Sequence, residues 1–206
     1  MKSYYSLWDI AVLALLLEDA MHPYQMQRLL HERHKDDILV LKRGSLYHAI
    51  NRLAKEGLIA AAGNEREGRR PERTMYRITP QGRRELTRVL RQKIAVPQRE
   101  TPEFMGALSF LVFLDREDAL KRLEERSERL GEETKTIAAG LKAAGEWVER
   151  INLIESEYLL AMRKAELKWV NALLEELRTG ALNWDLQKIF HRARTAKKTA
   201  SRMPEK

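Results

Sequence analysis

Apolar residues recur with helical spacing along most of this chain, interrupted once by two short extended runs. Residues 6–19, SLWDIAVLALLLED, read as a first helix. Leu7, Ile10, Ala11, Ala14 and Leu17 fall on one face, Leu13 and Leu16 widen the stripe, and Ser6 can cap the start. A helix this apolar is expected to be a buried scaffold. Residues 22–34 give a second helix, with Pro23 at the first position, where its missing N–H is not needed. Its apolar positions are Tyr24, Met26, Leu29 and Leu30, and Asp36-Asp37 break the pattern. In the third helix Leu46, Tyr47, Ile50, Leu53 and Ala54 stand at i, i+1, i+4, i+7 and i+8, and Gly57 stops it. Leu58 to Ala62 and Arg73 to Thr79 then read as two strands around the polar stretch Asn64 to Pro71, where Gly68 supplies the turn. Thr79 can cap a fourth helix, Arg83 to about Ile94. A scaffold helix, two helices joined by a turn and a hairpin follow the order of a winged helix-turn-helix.

The pattern changes after residue 94. Residues 95–104, with two prolines, read as a linker, and Phe104 to Leu114 is strongly apolar. Asp115 with Asp118 resembles a capping box for a long helix. Along it Leu120, Leu123, Ser127, Leu130, Thr134, Ile137 and Leu141 step alternately by three and four, a heptad seam weakened by Ser127 and Thr134. Glu146 to Arg178 reads as a second long helix, with Gly180 as its stop. Two long antiparallel amphipathic helices cannot bury both faces alone, so pairing with a second chain is expected. Phe104, Leu108, Leu111, Leu120, Leu123, Leu130, Ile137, Ile154 and Tyr158 are the residues expected at that interface. The fold class that follows is mainly α. A winged helix-turn-helix domain with a small β-hairpin wing (1–94) precedes a long-helix antiparallel dimerisation domain (95–191) and a basic flexible tail (192–206).

Charge sharpens the division. Residues 1–94 hold 18 Lys+Arg against 11 Asp+Glu, a net +7; residues 95–191 hold 14 against 18, a net −4; the last 15 hold 6 against 1, a net +5. A basic head on a mildly acidic body suits a head that binds a polyanion. The third helix spends Leu46, Ile50, Leu53 and part of Tyr47 on the core, leaving Ser45, His48, Ala49, Asn51, Arg52 and Lys55 towards solvent or DNA. Lys42, Arg43 and Ser45 stand at its N-terminus, where backbone N–H groups favour a phosphate. Asn51 and Arg52 are of the types that bond adenine and guanine edges bidentately. Arg69 and Arg70 at the hairpin tip suit phosphate or minor-groove contact. The expected DNA-contacting set is Lys42, Arg43, Ser45, Tyr47, His48, Asn51 and Arg52 from the helix, with Arg69 and Arg70 from the wing.

Three stretches, HPYQMQRLL, GSLYHAINRLAKEGLI and YRITPQGRREL, resemble the N-terminal domain of the PadR-type transcriptional regulators. That pattern runs H-G-Y-x-x-x-x-L, then G-[ST]-[LIV]-Y-x-x-L-x-x-L-x-x-x-G-[LW]-[IVL], then Y-x-[LI]-T-x-x-G. Pro23 replaces the usual glycine, and Ile50 stands where leucine is common. The resemblance covers about residues 7–93. It implies a homodimeric repressor on a pseudo-palindromic operator, often responsive to an aromatic or drug-like ligand. Trp8, Trp147 and Trp169 are the large flat groups expected to line a pocket for such a planar effector. The competing reading is a winged helix that binds protein and has no DNA role.

Other chemistries find little support. There are no cysteines, which excludes disulfides and thiolate metal sites and is compatible with a reducing cytoplasm, the expected location. The run Ile10 to Leu17 is too short to span a bilayer, and the N-terminus lacks the layout of a signal peptide. No Gly-rich phosphate loop or nucleophile elbow is present, so neither an enzyme nor a cofactor is expected. His31 and His34 share a helix face without carboxylates to complete a metal site, so no metal is expected either.

Overall fold

The computed structural model describes residues 5–33, 35, 45–65, 73–97, 102–189 and 191. The chain falls into two compact units, Met1–Glu100 and Thr101–Lys206. It is mainly helical, with one two-stranded antiparallel hairpin among the described residues.

The first unit begins with α1 (Leu7–Glu18). Its start is a reciprocal capping box: the Asp9 N–H donates to Ser6 Oγ at 3.3 Å, and the Ser6 N–H donates to Asp9 Oδ2 at 2.7 Å. The buried face carries Val12, Leu13, Leu15, Leu16 and the carboxylate of Asp9, while Leu7 and Leu17 are exposed. This corrects the expected stripe of Leu7, Ile10, Ala11, Ala14 and Leu17. A helix apolar nearly all round gives its periodicity no clear direction, so packing chooses the face. In α2 (Pro23–Glu32), His22 is the N-cap, its Nδ1 accepting from the Gln25 N–H at 3.1 Å. Met26 and Leu30 are buried, but Tyr24 is exposed.

Leu46, Ala49, Ile50 and Leu53 of α3 (Ser45–Lys55) are buried. The helix ends in a turn at Gly57, whose φ of 71° lies in the left-handed region. The hairpin pairs β1 (Ile59–Glu65) with β2 (Arg73–Ile78). Its rungs run Ile59–Ile78, Ala60–Arg77 and Ala61–Tyr76, then resume at Asn64–Thr74 after a register shift. β1 spends three residues where β2 spends two, and Gly63, at φ 111°, supplies the extra residue of a bulge. The bulge lets the ladder continue past Ala62, where the sequence pattern placed the end of the strand. On its other side β2 is bonded by Met21, which exchanges two 3.0 Å backbone bonds with Tyr76.

α4 (Pro80–Ala95) is capped by Thr79, which accepts from the Gly82 N–H at 3.0 Å. The same hydroxyl faces the carbonyls of Gly57 and Leu58 at 2.8 and 3.0 Å, and the Thr79 N–H donates to Leu58 O at 3.0 Å. Gly82 packs so closely that a Cβ there would lie 2.1 Å from Leu58 O. α1 packs against both α3 and α4.

The second unit holds α5 (Glu103–Leu108), a 3₁₀ turn (Leu111–Phe113), α6 (Arg116–Ala144), a second 3₁₀ turn (Arg150–Asn152) and α7 (Ile154–Thr179). Asp115 caps α6, its Oδ1 accepting from the Asp118 N–H at 2.8 Å. α6 and α7 are antiparallel: Arg116 reaches Leu177 O, Ser127 meets Asn171, and Arg163 reaches Glu133. Between them lie Leu123, Leu130, Val170, Leu174 and Leu177. Leu123 and Leu130 are therefore buried inside the chain and are not free for the interface expected of them. Here the heptad face serves the intrachain partner first. α7 begins at Ile154, eight residues later than the pattern indicated, so Trp147 and Ile151 stand on an exposed turn.

Candidate nucleic-acid interface

The exposed side of α3 is narrow and almost uncharged. Tyr47, Asn51 and Lys55 follow at four-residue steps, and with His48 they span about 100° of arc. All four are exposed, Tyr47 at 54%. The side chains available to a groove from α3 are thus an aromatic hydroxyl, an imidazole, a carboxamide and one ammonium. Ala49, expected towards DNA, is instead 1% exposed and packs in the core. Ser45 is half-buried on the flank, about 110° round from the centre of the exposed arc.

Arg52 sits on that same flank and turns inward. Its Nε donates to Asp9 Oδ1 at 3.1 Å, and its Nη2 donates to Asp9 Oδ2 and, at 3.2 Å, to Ser6 Oγ. Asp9 has no exposed surface, whereas the Arg52 side chain is 40% exposed. The expected groove-facing guanidinium is committed to a buried carboxylate, because an unpaired charge at Asp9 would be costly. One turn on, the Tyr5 hydroxyl donates to Glu56 Oε2 at 2.7 Å. Burial, then this bond to a carboxylate, pushes the Tyr5 phenol well above its ordinary range.

Lys42 and Arg43, and the wing arginines Arg69 and Arg70, lie outside the described residues, as does His34. The described part of the wing brings its base, β1 and β2, directly behind the α3 C-terminus through the Gly57–Leu58 corner.

A cationic row on α4 was missed by the sequence reading. Arg83, Arg84, Arg88 and Arg91 line a shallow groove of about 840 Å³. Arg88 is paired to Glu85 at 2.5 Å. Their spacing of one, four and three residues was the available signal. α4 carries five Lys+Arg and one acid, so it holds more of the head's positive charge than α3 does.

Of the tryptophans expected to line a pocket, Trp8 belongs to the first unit and Trp147 and Trp169 to the second. Trp8 is half-buried against the core of the first unit. Trp147 is 80% exposed on the turn before α7, and Trp169 lies fifteen residues into that helix, about 22 Å along its axis. Trp169 meets Phe104 edge-on with centroids 6.2 Å apart, and the Arg126 guanidinium stacks 3.5 Å from the Phe104 centroid. Phe104 opens onto a cleft of about 630 Å³ within the second unit, shared with Leu108, Leu111, Phe110, Arg129 and Arg163. Among the described residues no group of three or more His, Asp or Glu could hold a metal, and no helix is long and apolar enough to cross a membrane.

Residues 12–88 match the Transcriptional regulator PadR-like family. Among curated proteins none matches the chain. Solved structures share the fold across both units. Bacillus subtilis PadR in complex with operator DNA is 18% identical, with a TM-score of 0.69 over 85% of this chain and 99% of that one. The same protein in complex with p-coumaric acid is 18% identical, with a TM-score of 0.68 over 84% and 99%. The Vibrio cholerae virulence activator AphA is 19% identical, with a TM-score of 0.62 over 84% and 98%. The sequence match and the winged-helix geometry agree: residues 12–88 match the PadR-like transcriptional regulator family, and the chain shares the fold of PadR.

Proposed function

We propose that the chain is a homodimeric DNA-binding regulator, a repressor acting at a pseudo-palindromic operator in the cytoplasm. The observation that carries this reading is the exposed arc of Tyr47, His48, Asn51 and Lys55 on α3, backed by a wing hairpin within a PadR-like domain. Asn51 reads adenine through its carboxamide, and His48 and Tyr47 supply further polar contacts in the major groove. Lys42, Arg43 and Ser45 serve phosphates at the helix start, and Arg69 and Arg70 serve them from the wing. B. subtilis PadR has been captured on operator DNA, which supports the same use here.

Dimerisation is supported by a second apolar stripe on α7. Ile154, Tyr158, Met162 and Trp169 fall within about 80° of arc and are all exposed, on a different face from Val170, Leu174 and Leu177. Water-facing stripes of this length mark association surfaces. Phe104, Leu108, Leu111, Leu120 and Ile137 complete the proposed contact. A two-fold pair sets recognition helices about 34 Å apart, on successive major-groove turns. Release by an aromatic effector is supported by the p-coumaric acid complex of B. subtilis PadR.

Footprinting on the DNA upstream of its own gene tests the reading. Two protected half-sites about one helical turn apart, lost in Asn51→Ala, are expected. Equal affinity for that DNA and for scrambled duplex would favour the protein-binding alternative. Expression of a reporter behind that DNA, higher without the protein than with it, tests repression.

A further inference from the structure

We propose that Arg52 is a positioning residue: with Asp9 it fixes the pose of α3 presented to DNA, and by being held there it is withheld from phosphates. The proposal rests on the DNA-binding reading above.

The geometry has three parts. First, the Asp9 carboxylate is fully used. Oδ1 accepts from Arg52 Nε, and Oδ2 accepts from the Ser6 N–H and Ser6 hydroxyl, both at 2.7 Å, as well as from Arg52 Nη2. A buried carboxylate satisfied this way holds the guanidinium in one plane, because the fork is rigid and bidentate. Second, the tie is doubled one turn later, where Tyr5 donates to Glu56. Arg52 and Glu56 are four residues apart, so two polar contacts at successive turns oppose both tilting and rolling of α3. The apolar contacts of Leu46, Ala49, Ile50 and Leu53 cannot do this alone, since hydrophobic burial is non-directional. Third, the pairing changes the charge offered to DNA. Residues 45–55 contain two cations and no acid, and Asp9 neutralises one of them. That leaves Lys55 beside Tyr47, His48 and Asn51. The helix is thus built to discriminate between sequences and to contribute little sequence-blind attraction.

An arginine that reads a base or grips a phosphate, and an arginine that holds the helix, give opposite results when Asp9 is altered. Asp9 has no exposed surface and cannot touch DNA. Binding of the full chain to its footprinted operator and to a scrambled duplex is measured by fluorescence anisotropy across a salt series. The variants are Asp9→Asn, Arg52→Gln, Arg52→Lys and the Asp9→Asn/Arg52→Gln pair. In Asp9→Asn the freed guanidinium gains a phosphate, so scrambled-duplex binding tightens and its salt slope steepens by about 0.9. The operator-to-scrambled ratio falls by about tenfold. Arg52→Gln lowers the ratio similarly but leaves the salt slope at the unaltered value. The double variant keeps the low ratio and loses the steepened slope. Arg52→Lys, which keeps charge and loses the fork, recovers only part of the ratio.

Three results would overturn the proposal: a salt slope lowered by Arg52→Gln, a preference relaxed at one operator position only, or an unchanged ratio in Asp9→Asn. If Asp9→Asn fails to fold, Ser6→Ala and Tyr5→Phe each remove one tie and are expected to lower the ratio in the same direction; an unchanged ratio in both overturns the proposal. An unaltered chain that binds no DNA overturns the DNA-binding reading, and this one with it. Unchanged discrimination in variants of a chain that does bind overturns this proposal alone.

Discussion

Replacing Gly82 by alanine tests the joint between the α3–β1 corner and α4. The added Cβ would stand 2.1 Å from Leu58 O and 2.9 Å from Ile78 Cγ1. The Ile78 side chain can rotate away, but the carbonyl is backbone. Even the weak C–H···O contact needs about 3.3 Å, so the helix and the corner must separate by about 1 Å. Leu58 O also accepts from the Thr79 N–H and faces its hydroxyl, both at 3.0 Å, and a 1 Å opening takes both beyond hydrogen-bond range. Overpacking costs about 1–3 kcal/mol and the weakened bonds about 1–2 kcal/mol. Alanine's helix preference over glycine returns about 0.5–1 kcal/mol. The net loss is about 1–4.5 kcal/mol, a fall in melting temperature of about 4 °C or more for a unit of this size. Thermal melts followed by far-UV circular dichroism measure it. An unchanged or raised melting temperature in Gly82→Ala would refute the close packing, because helix preference would then have outweighed it.

Other perturbations probe separate links. Leu174→Ala, in the core between α6 and α7, should cost about 2–5 kcal/mol in denaturant titrations, since Leu174 is 2% exposed. Tyr158→Ser with Met162→Ser should convert dimer to monomer in sedimentation velocity, and a dimer that persists would remove the α7 stripe from the interface. The raised Tyr5 phenol gives an alkaline signature. Its folded pKa lies above the unfolded value of 10.0, so its stabilising contribution is complete below pH 10.0 and is lost as pH rises above it. Urea titrations should show stability falling by up to about 1.4 kcal/mol per pH unit there, and Tyr5→Phe should remove that component of the slope.

The starts of α1, α4 and α6 were legible because caps are local. Ser6, Thr79 and Asp115 bond N–H groups three residues away, well inside a sequence window. The faces were legible where polarity is one-sided, as on α3, whose core positions Leu46, Ile50 and Leu53 were read correctly. They were not legible on α1, where apolar residues surround the axis and a single buried acid, Asp9, marks the inner side. The role of Arg52 was hidden for a different reason. A guanidinium suits a guanine edge and a buried carboxylate equally, and the carboxylate lies 43 residues earlier. The bulge at Gly63 and the late start of α7 depend on backbone torsions and helix pairing, which residue periodicity does not encode.

The two-sided support of β2 at Tyr76 makes the hairpin a cantilever. At its root the strand is bonded to Ala61's strand on one edge and to Met21 on the other, so neither edge of that rung is free to fray. Beyond the Gly63 bulge the rungs Asn64–Thr74 and Glu65–Arg73 have no further strand or bridge partner among the described residues. Bending therefore concentrates at the bulge, while the root holds its angle to α3. Amide hydrogen exchange would show this as a step, with Tyr76 protected like the core and Thr74 exchanging far faster. Equal protection at Tyr76 and Thr74 would instead mean that the described part of the hairpin moves as one rigid piece with its root.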